Sequence, residues 1–237
     1  MNIVAFGASY SRTSINRQWA EFVARQLPGA ASVRVLDLND YDLPVYTVER
    51  EQELGIPEAV GRFVAELTTA DAAVISFAEY NGSYTAGFKN LFDWASRHTL
   101  KMLEGKPTVL LSAAPGPRGG LTVLQTAVDR FPRHGALVAG HMALPRFNET
   151  FHPEHGLVDA ELRAELDDLL GEHKLEGAVI RDTVTGAERI LSPLAGMVRL
   201  ASFSLAASLT HQTRRAGSAL ADVGPYFISS QMASIWS

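Results

Sequence analysis

Residues 73–84 read Ala-Val-Ile-Ser-Phe-Ala-Glu-Tyr-Asn-Gly-Ser-Tyr, and residues 86–95 continue Ala-Gly-Phe-Lys-Asn-Leu-Phe-Asp-Trp-Ala. The first stretch opens as an apolar run of the length expected for a strand buried on both faces. It stops at a polar, aromatic segment whose Asn81-Gly82 pair tolerates the backbone angles of a tight turn. The second stretch spaces Phe88, Leu91, Phe92 and Ala95 along one face of a helix. A buried strand, a loop able to aim backbone N–H groups outward, and a helix together make the ligand-binding corner of an open α/β sheet.

The same alternation extends in both directions. Ile3 to Phe6 is a short buried strand ending at Gly7, and Ile15, Trp19, Phe22, Val23 and Leu27 form a helical stripe. Val33–Leu38 reads as a strand, and Pro57 opens a helix carrying Val60, Phe63, Val64 and Leu67. On the other side, Thr108–Leu111 is a strand opened by Pro107, Leu121, Leu124 and Val128 mark a helix, and Ala136–Leu144 is a strand. Asp159 caps a last helix bearing Leu162, Leu166, Leu169 and Leu170. Five βα units with right-handed crossovers predict an α/β three-layer sandwich around a five-stranded parallel sheet. The expected strand order is 2-1-3-4-5, which is flavodoxin-like.

That domain is expected to occupy residues 1–173. The character changes over 174–237, and residues 190–237 carry only Arg199, Arg214, Arg215 and Asp222 as charges. Leu194, Val198, Ala201, Leu205 and Leu209 would line one face of a helix there, but Pro193, Gly196 and Arg199 argue against a bilayer span. A central arginine alone costs about 2.5–3.5 kcal/mol on insertion scales. The segment reads as a C-terminal extension of unclear structure, either disordered or a non-native tail.

Composition narrows the function. A net charge of −5 over 237 residues argues against nucleic acid as the main partner, since phosphate binding needs a basic face. Without cysteine, disulfides, thiolate catalysis and Cys-based metal sites are excluded. Met1–Gly7 has no basic n-region and too short an apolar run for a signal peptide, so a cytoplasmic protein is expected.

Three loops would lie at the carboxyl ends of the strands. The first, residues 7–16, is Gly-Ala-Ser-Tyr-Ser-Arg-Thr-Ser-Ile-Asn and opens a helix. A helix N-terminus offers unpaired N–H groups and a positive dipole end to a phosphate. Ser9, Ser11, Thr13 and Ser14 add hydroxyls and Arg12 adds charge, although the same residue types serve simple helix capping equally well. The loop contains neither a Gly-x-Gly-x-x-Gly fingerprint nor a Gly-Lys-Ser/Thr P-loop, which favours a mononucleotide such as FMN. In the second loop, 79–85, Asn81-Gly82 can present N–H groups to the edge of a ligand. In the third, 112–120, Gly116, Gly119 and Gly120 permit close backbone approach.

Glu-Tyr-Asn-Gly-Ser-Tyr at 79–84 followed by Phe-Lys-Asn-Leu-Phe-Asp-Trp at 88–94, Ser-Arg-Thr-Ser-Ile-Asn at 11–16, and the glycine-bearing third loop closely resemble the NADPH-dependent FMN reductases. The resemblance covers about residues 1–172 and departs from many members at Ala78, where they carry proline. It implies a bound FMN whose phosphate meets Ser9, Ser11, Arg12, Ser14, Ile15 and Asn16. Glu79, Tyr80, Asn81 and Gly82 would line the ring and ribityl chain, with Ser112, Gly116 and Gly119 contributed by the third loop. It further implies hydride from NADPH or NADH, a ping-pong reaction, and a small acceptor: quinone, azo dye, metal oxyanion or free flavin. The chemistry would sit at flavin N5, with no catalytic side chain. Ser14→Ala and Asn16→Ala are expected to weaken FMN binding with little loss of fold. A homodimer or higher homo-oligomer is implied, with apolar contact at the interface from among Tyr84, Phe88, Phe92 and Trp94 and the rest of them in the core.

The alternative is a flavodoxin-like electron carrier that is not an enzyme. A phosphorelay receiver would need clustered acids where this chain has Gly7-Ala8-Ser9, and a serine hydrolase would need a Gly-x-Ser-x-Gly elbow. His152 and His155 have metal-ligand spacing without an evident third ligand, so a solvated loop and no metal site are expected.

Overall fold

A computed structural model describes residues 1–171 in full and the backbone of residues 178–181 and 188–191. Five parallel strands form the central sheet: β1 (Asn2–Ala8), β2 (Ser32–Val35), β3 (Ala72–Phe77), β6 (Lys106–Ala113) and β7 (Ala136–Leu144). Their spatial order is β2-β1-β3-β6-β7, the 2-1-3-4-5 order of the flavodoxin-like fold. Two short strands outside this sheet, β4 (Glu79–Tyr80) and β5 (Ser83–Tyr84), form a hairpin with Asn81-Gly82 at its tip.

Side-chain alternation along each strand feeds two separate cores, as the pleat requires. Val4, Phe6, Ala73, Ile75, Phe77 and Leu110 point to one face. They pack against α3 (Glu58–Thr69), α4 (Ala86–His98) and α5 (Leu121–Arg130) through residues such as Phe63, Phe88 and Leu124. Ile3, Ala5, Val74, Val109 and Leu111 point to the other face, toward α1 (Ile15–Gln26) and α7 (Ala160–Leu170). Trp19, at 0% exposure, is the largest side chain of that second core.

Several elements differ from expectation for identifiable reasons. β2 stops at Val35, because Asp37 accepts a hydrogen bond from the Asn39 N–H and starts a 3₁₀ turn at Leu38–Asp40. A further helix, α2 (Val48–Leu54), is capped by Thr47 and buries none of its residues, so it leaves no apolar stripe in the sequence. Of the aromatic residues expected to divide between interface and core, Phe88, Phe92 and Trp94 are buried within this chain at 1%, 6% and 0% exposure. Burial is their simpler fate, because α4 lies across the sheet and its apolar face is consumed there.

After β7, a short helix α6 (Phe147–Thr150) leads into the hairpin β8 (Phe151–His152) and β9 (Gly156–Leu157). Within the extension, β10 (Ala178–Arg181) and β11 (Glu188–Leu191) pair antiparallel. The expected helical face from Leu194 to Leu209 and the boundary at residue 173 lie outside the described residues. No described helix is long and apolar enough to cross a membrane.

Candidate functional site

The three loops meet at the carboxyl edge of β1, β3 and β6, and polar contacts tie each to its neighbours. The first begins where Gly7 abuts the opening turn of α1. A Cβ on Gly7 would lie 2.4 Å from the Arg17 nitrogen, so only glycine permits this approach. Ser14 is the N-cap, its Oγ accepting from the Arg17 N–H at 3.3 Å. The Ile15 and Asn16 N–H groups, at the first two helical positions, have no partner among the described residues, as helix geometry dictates. Ser9 accepts from the Ser11 N–H at 3.2 Å. Ser9 and Ser14 thus each accept one bond and keep a hydroxyl hydrogen to donate. Ser11, Arg12 and Thr13 are exposed, and no carboxylate occurs in residues 7–16.

Asn16 is 2% exposed, and its side chain makes three hydrogen bonds. Its Oδ1 accepts from Ser76 Oγ at 2.7 Å and from the Ala113 N–H at 2.9 Å, while its Nδ2 donates to the Ala113 carbonyl at 3.0 Å. The carboxamide thus pairs with both backbone groups of Ala113, one residue beyond the last β3–β6 register pair, Phe77 and Ser112. It extends the sheet where β3 turns away. Asn16→Ala would therefore remove contacts internal to the fold, whatever it does to a ligand.

The second and third loops are joined by Glu79. Its carboxylate accepts from the Val123 N–H at 2.9 Å, capping α5 across a gap of 44 residues. The N-cap position itself is Gly120, which has no side chain to do so. Ser112 donates its hydroxyl to the Gly119 carbonyl at 2.8 Å, and Gly119 is pinned against the end of β7, where a Cβ would lie 2.7 Å from the Leu144 carbonyl carbon. Gly116 accepts from the Arg146 N–H at 3.0 Å. The first and second loops are joined by Thr85, which donates to the Ala8 carbonyl at 3.1 Å, and by Tyr10, whose ring covers Gly87.

What remains open on this edge is a set of donors. Asn81 and Gly82 both have positive φ, 54° and 74°, so the hairpin tip is a tight turn with exposed backbone. Tyr80 beside it is 57% exposed, an unusual state for a large aromatic side chain. Tyr10 has its phenol pushed up to about 12, by burial and then by nearby Asp42, and it stays neutral. Asp37 is held below the ordinary carboxylate value by hydrogen bonds from Asn39, with Arg17 adding attraction at 2.8 Å. Unpaired N–H groups, hydroxyls and Arg12 on a first loop without carboxylates suit a phosphate dianion. An exposed aromatic beside a backbone turn suits a planar ring.

Sequence reasoning missed Tyr10, Ser76 and Thr85. Ser76 carried a signal, as the one polar residue in an apolar run and 0% exposed in the fold. A hydroxyl there needs a buried partner, and Asn16 is that partner.

The fold and this edge define a flavodoxin-like mononucleotide-binding domain. A sequence model of the NADPH-dependent FMN reductases matches residues 1–149, and the chain belongs to that family. FMN is the family's cofactor and a reduced nicotinamide nucleotide its electron donor. A quinone reductase of Escherichia coli is 32% identical over 120 residues, covering 51% of this chain and 63% of that protein. An NAD(P)H-dependent FMN reductase of Pseudomonas aeruginosa is 31% identical over 119 residues, covering 50% and 63%. The matched segment thus spans less than two thirds of these relatives' length. A solved flavoenzyme NAD(P)H:(acceptor) oxidoreductase of Paracoccus denitrificans shares the fold, with a TM-score of 0.57 at 22% identity over 73% of this chain and 94% of that one.

Proposed function

We propose that this protein is an FMN-dependent oxidoreductase that takes hydride from NADPH or NADH and reduces a small acceptor, a quinone in the first instance. The observation that carries the reading is the carboxylate-free loop of residues 9–16, which opens α1 on the Ser14 cap and is tied by the Asn16 side chain to the end of β6, where the third loop begins. Ser9, Ser11, Arg12, Ser14 and the Ile15 and Asn16 N–H groups would hold the phosphate. Tyr80, Asn81 and Gly82 would line the ring, with Gly116 and Gly119 opposite. Glu79, Ser112 and the Asn16 side chain act as positioning residues, since their polar atoms hold loop to loop. Bound FMN supplies the redox chemistry, and the protein supplies orientation and donors that favour the reduced ring's charge.

The quinone assignment draws on the relatives named as quinone reductases; azo compounds, metal oxyanions and free flavin are the other acceptor classes. A cytoplasmic location suits an enzyme that draws on pools of reduced nicotinamide. Self-association fits the exposed apolar run Val45, Val48, Leu54 and Ile56 on and beside α2. Light scattering should give a dimer mass, and Val48→Glu with Leu54→Glu should give a monomer. The function is tested by mixing FMN-loaded protein anaerobically with NADPH or NADH. Rapid bleaching of the flavin, and its recovery on adding a quinone, are expected. If neither nucleotide bleaches the flavin but a flavoprotein donor does, the protein is an electron carrier.

A further inference from the structure

We propose that His152, Glu154 and His155, at the turn of the β8–β9 hairpin, form a binding site for a borderline divalent transition-metal ion such as Zn²⁺ or Ni²⁺. One ligand-capable atom from each residue lies within 4.8 Å of the others. The third ligand that spacing alone did not reveal is therefore Glu154. The two imidazoles lie face to face, with centroids 4.7 Å apart and planes 15° from parallel. All three side chains are exposed, so an ion reaches them without any opening of the fold.

The base of the hairpin is paired and packed into the core. Phe151 pairs with Leu157 and His152 with Gly156, and Phe151 and Leu157 are buried. Phe151 packs on Trp19, Phe22 and Phe147. Gly156 has φ +71° and sits under the Phe22 ring, where a Cβ would lie 2.2 Å from a ring carbon. The turn is thus anchored at both ends, and gathering its ligands costs little chain entropy. Among the described residues, none of the three side chains is in an ion pair.

Ligand chemistry selects the ion. Two imidazole nitrogens and one carboxylate favour Zn²⁺, Ni²⁺ or Cu²⁺ over Mg²⁺ and Ca²⁺, which prefer all-oxygen sets. Three protein ligands leave a position for water. Binding forfeits one exposed hydrogen bond. The Glu154 N–H donates to His152 Nδ1 at 3.2 Å; a metal on Nδ1 replaces that bond, and a metal on Nε2 requires a proton on Nδ1 and breaks it.

The test is an equilibrium titration of the full chain, FMN-loaded, with Zn²⁺ against a chromophoric chelator. The wild type should take up one tight equivalent and gain thermal stability, and Mg²⁺ and Ca²⁺ should do neither. Loss of an outer-shell partner alone costs about 10–100-fold in metal affinity, so His152→Ala with His155→Ala should lower affinity at least that much. Glu154→Gln should fall between. Unchanged flavin absorbance and circular dichroism would show that these exposed substitutions leave the fold intact. Absence of a tight equivalent in the wild type overturns the proposal. So does an equivalent that the double variant retains, which would place the metal on other histidines of the chain.

Discussion

Asn16→Ala should damage the fold more than a ligand-contact role would allow. The substitution deletes three hydrogen bonds and leaves the Ser76 hydroxyl, the Ala113 N–H and the Ala113 carbonyl without partners. Ser76 is 0% and Ala113 2% exposed, so bulk water does not reach these groups directly. Each net hydrogen bond is worth about 0.5–1.5 kcal/mol, and each buried orphan costs about 1–3 kcal/mol. These terms overlap, which gives a destabilisation of roughly 3–5 kcal/mol. That is a large part of the ordinary stability of about 5–15 kcal/mol. In a domain of this size, 1 kcal/mol moves the melting temperature by about 2–4 °C, so the apoprotein should melt roughly 10 °C lower. Urea unfolding of the apo forms, followed by circular dichroism, measures this without the cofactor. An apo variant within about 1 kcal/mol of wild type, well below the sum of these terms, that binds FMN tenfold more weakly would refute the tether and make the Asn16 side chain a direct ligand.

Glu79→Ala removes the cap that Val123 receives and should cost about 0.5–2 kcal/mol of apo stability, with looser flavin binding because loop two loses its anchor; unchanged unfolding midpoints would show that the carboxylate does not hold α5. Ser14→Ala removes a cap and an outward hydroxyl hydrogen, so FMN affinity should fall at least about tenfold with a loss of only about 1 kcal/mol in stability, read by fluorescence titration and urea unfolding. His134 is buried against Phe92, its Nδ1–H donates to the Leu100 carbonyl at 2.9 Å, and its Nε2 has no partner. Burial holds its pKa below the ordinary value, with Arg130 and Lys101 acting in the same direction, so the native state favours the neutral ring. The unfolded chain then binds more protons below about pH 6.5, and stability present above that pH is lost as pH falls toward the native pKa. Wild type should lose stability between pH 7 and 5 more steeply than His134→Gln; parallel profiles would remove His134 as the cause.

The sheet was legible because its strands are unbroken apolar runs and its helices carry stripes, so Ala136–Leu144 and the Asp159-capped helix fall where the pattern puts them. Where an element buries nothing, as in α2, periodicity has nothing to report. The loops that carry the site were legible as motifs, but the division of labour within them was not. Whether Glu79 faces a ligand or the start of α5 depends on a contact 44 residues away. Asn16 has the same ambiguity, since it lies 60 residues from Ser76 and 97 from Ala113. Hydrogen-bond partners at such separations follow from strand order and register, which the local sequence does not encode. The His152, Glu154 and His155 cluster is local, yet its convergence depends on the turn that Gly156 and the Phe22 ring impose.

The central claim is that the edge formed by residues 9–16, 79–82 and 112–119 holds one FMN. Titration of flavin-free protein with FMN, followed by quenching of flavin fluorescence, measures this most directly. Saturable binding of one FMN per chain is expected, with FAD and free riboflavin binding far more weakly because the first loop suits a terminal phosphate. Absence of saturable FMN binding, or equal affinity for riboflavin, would contradict it.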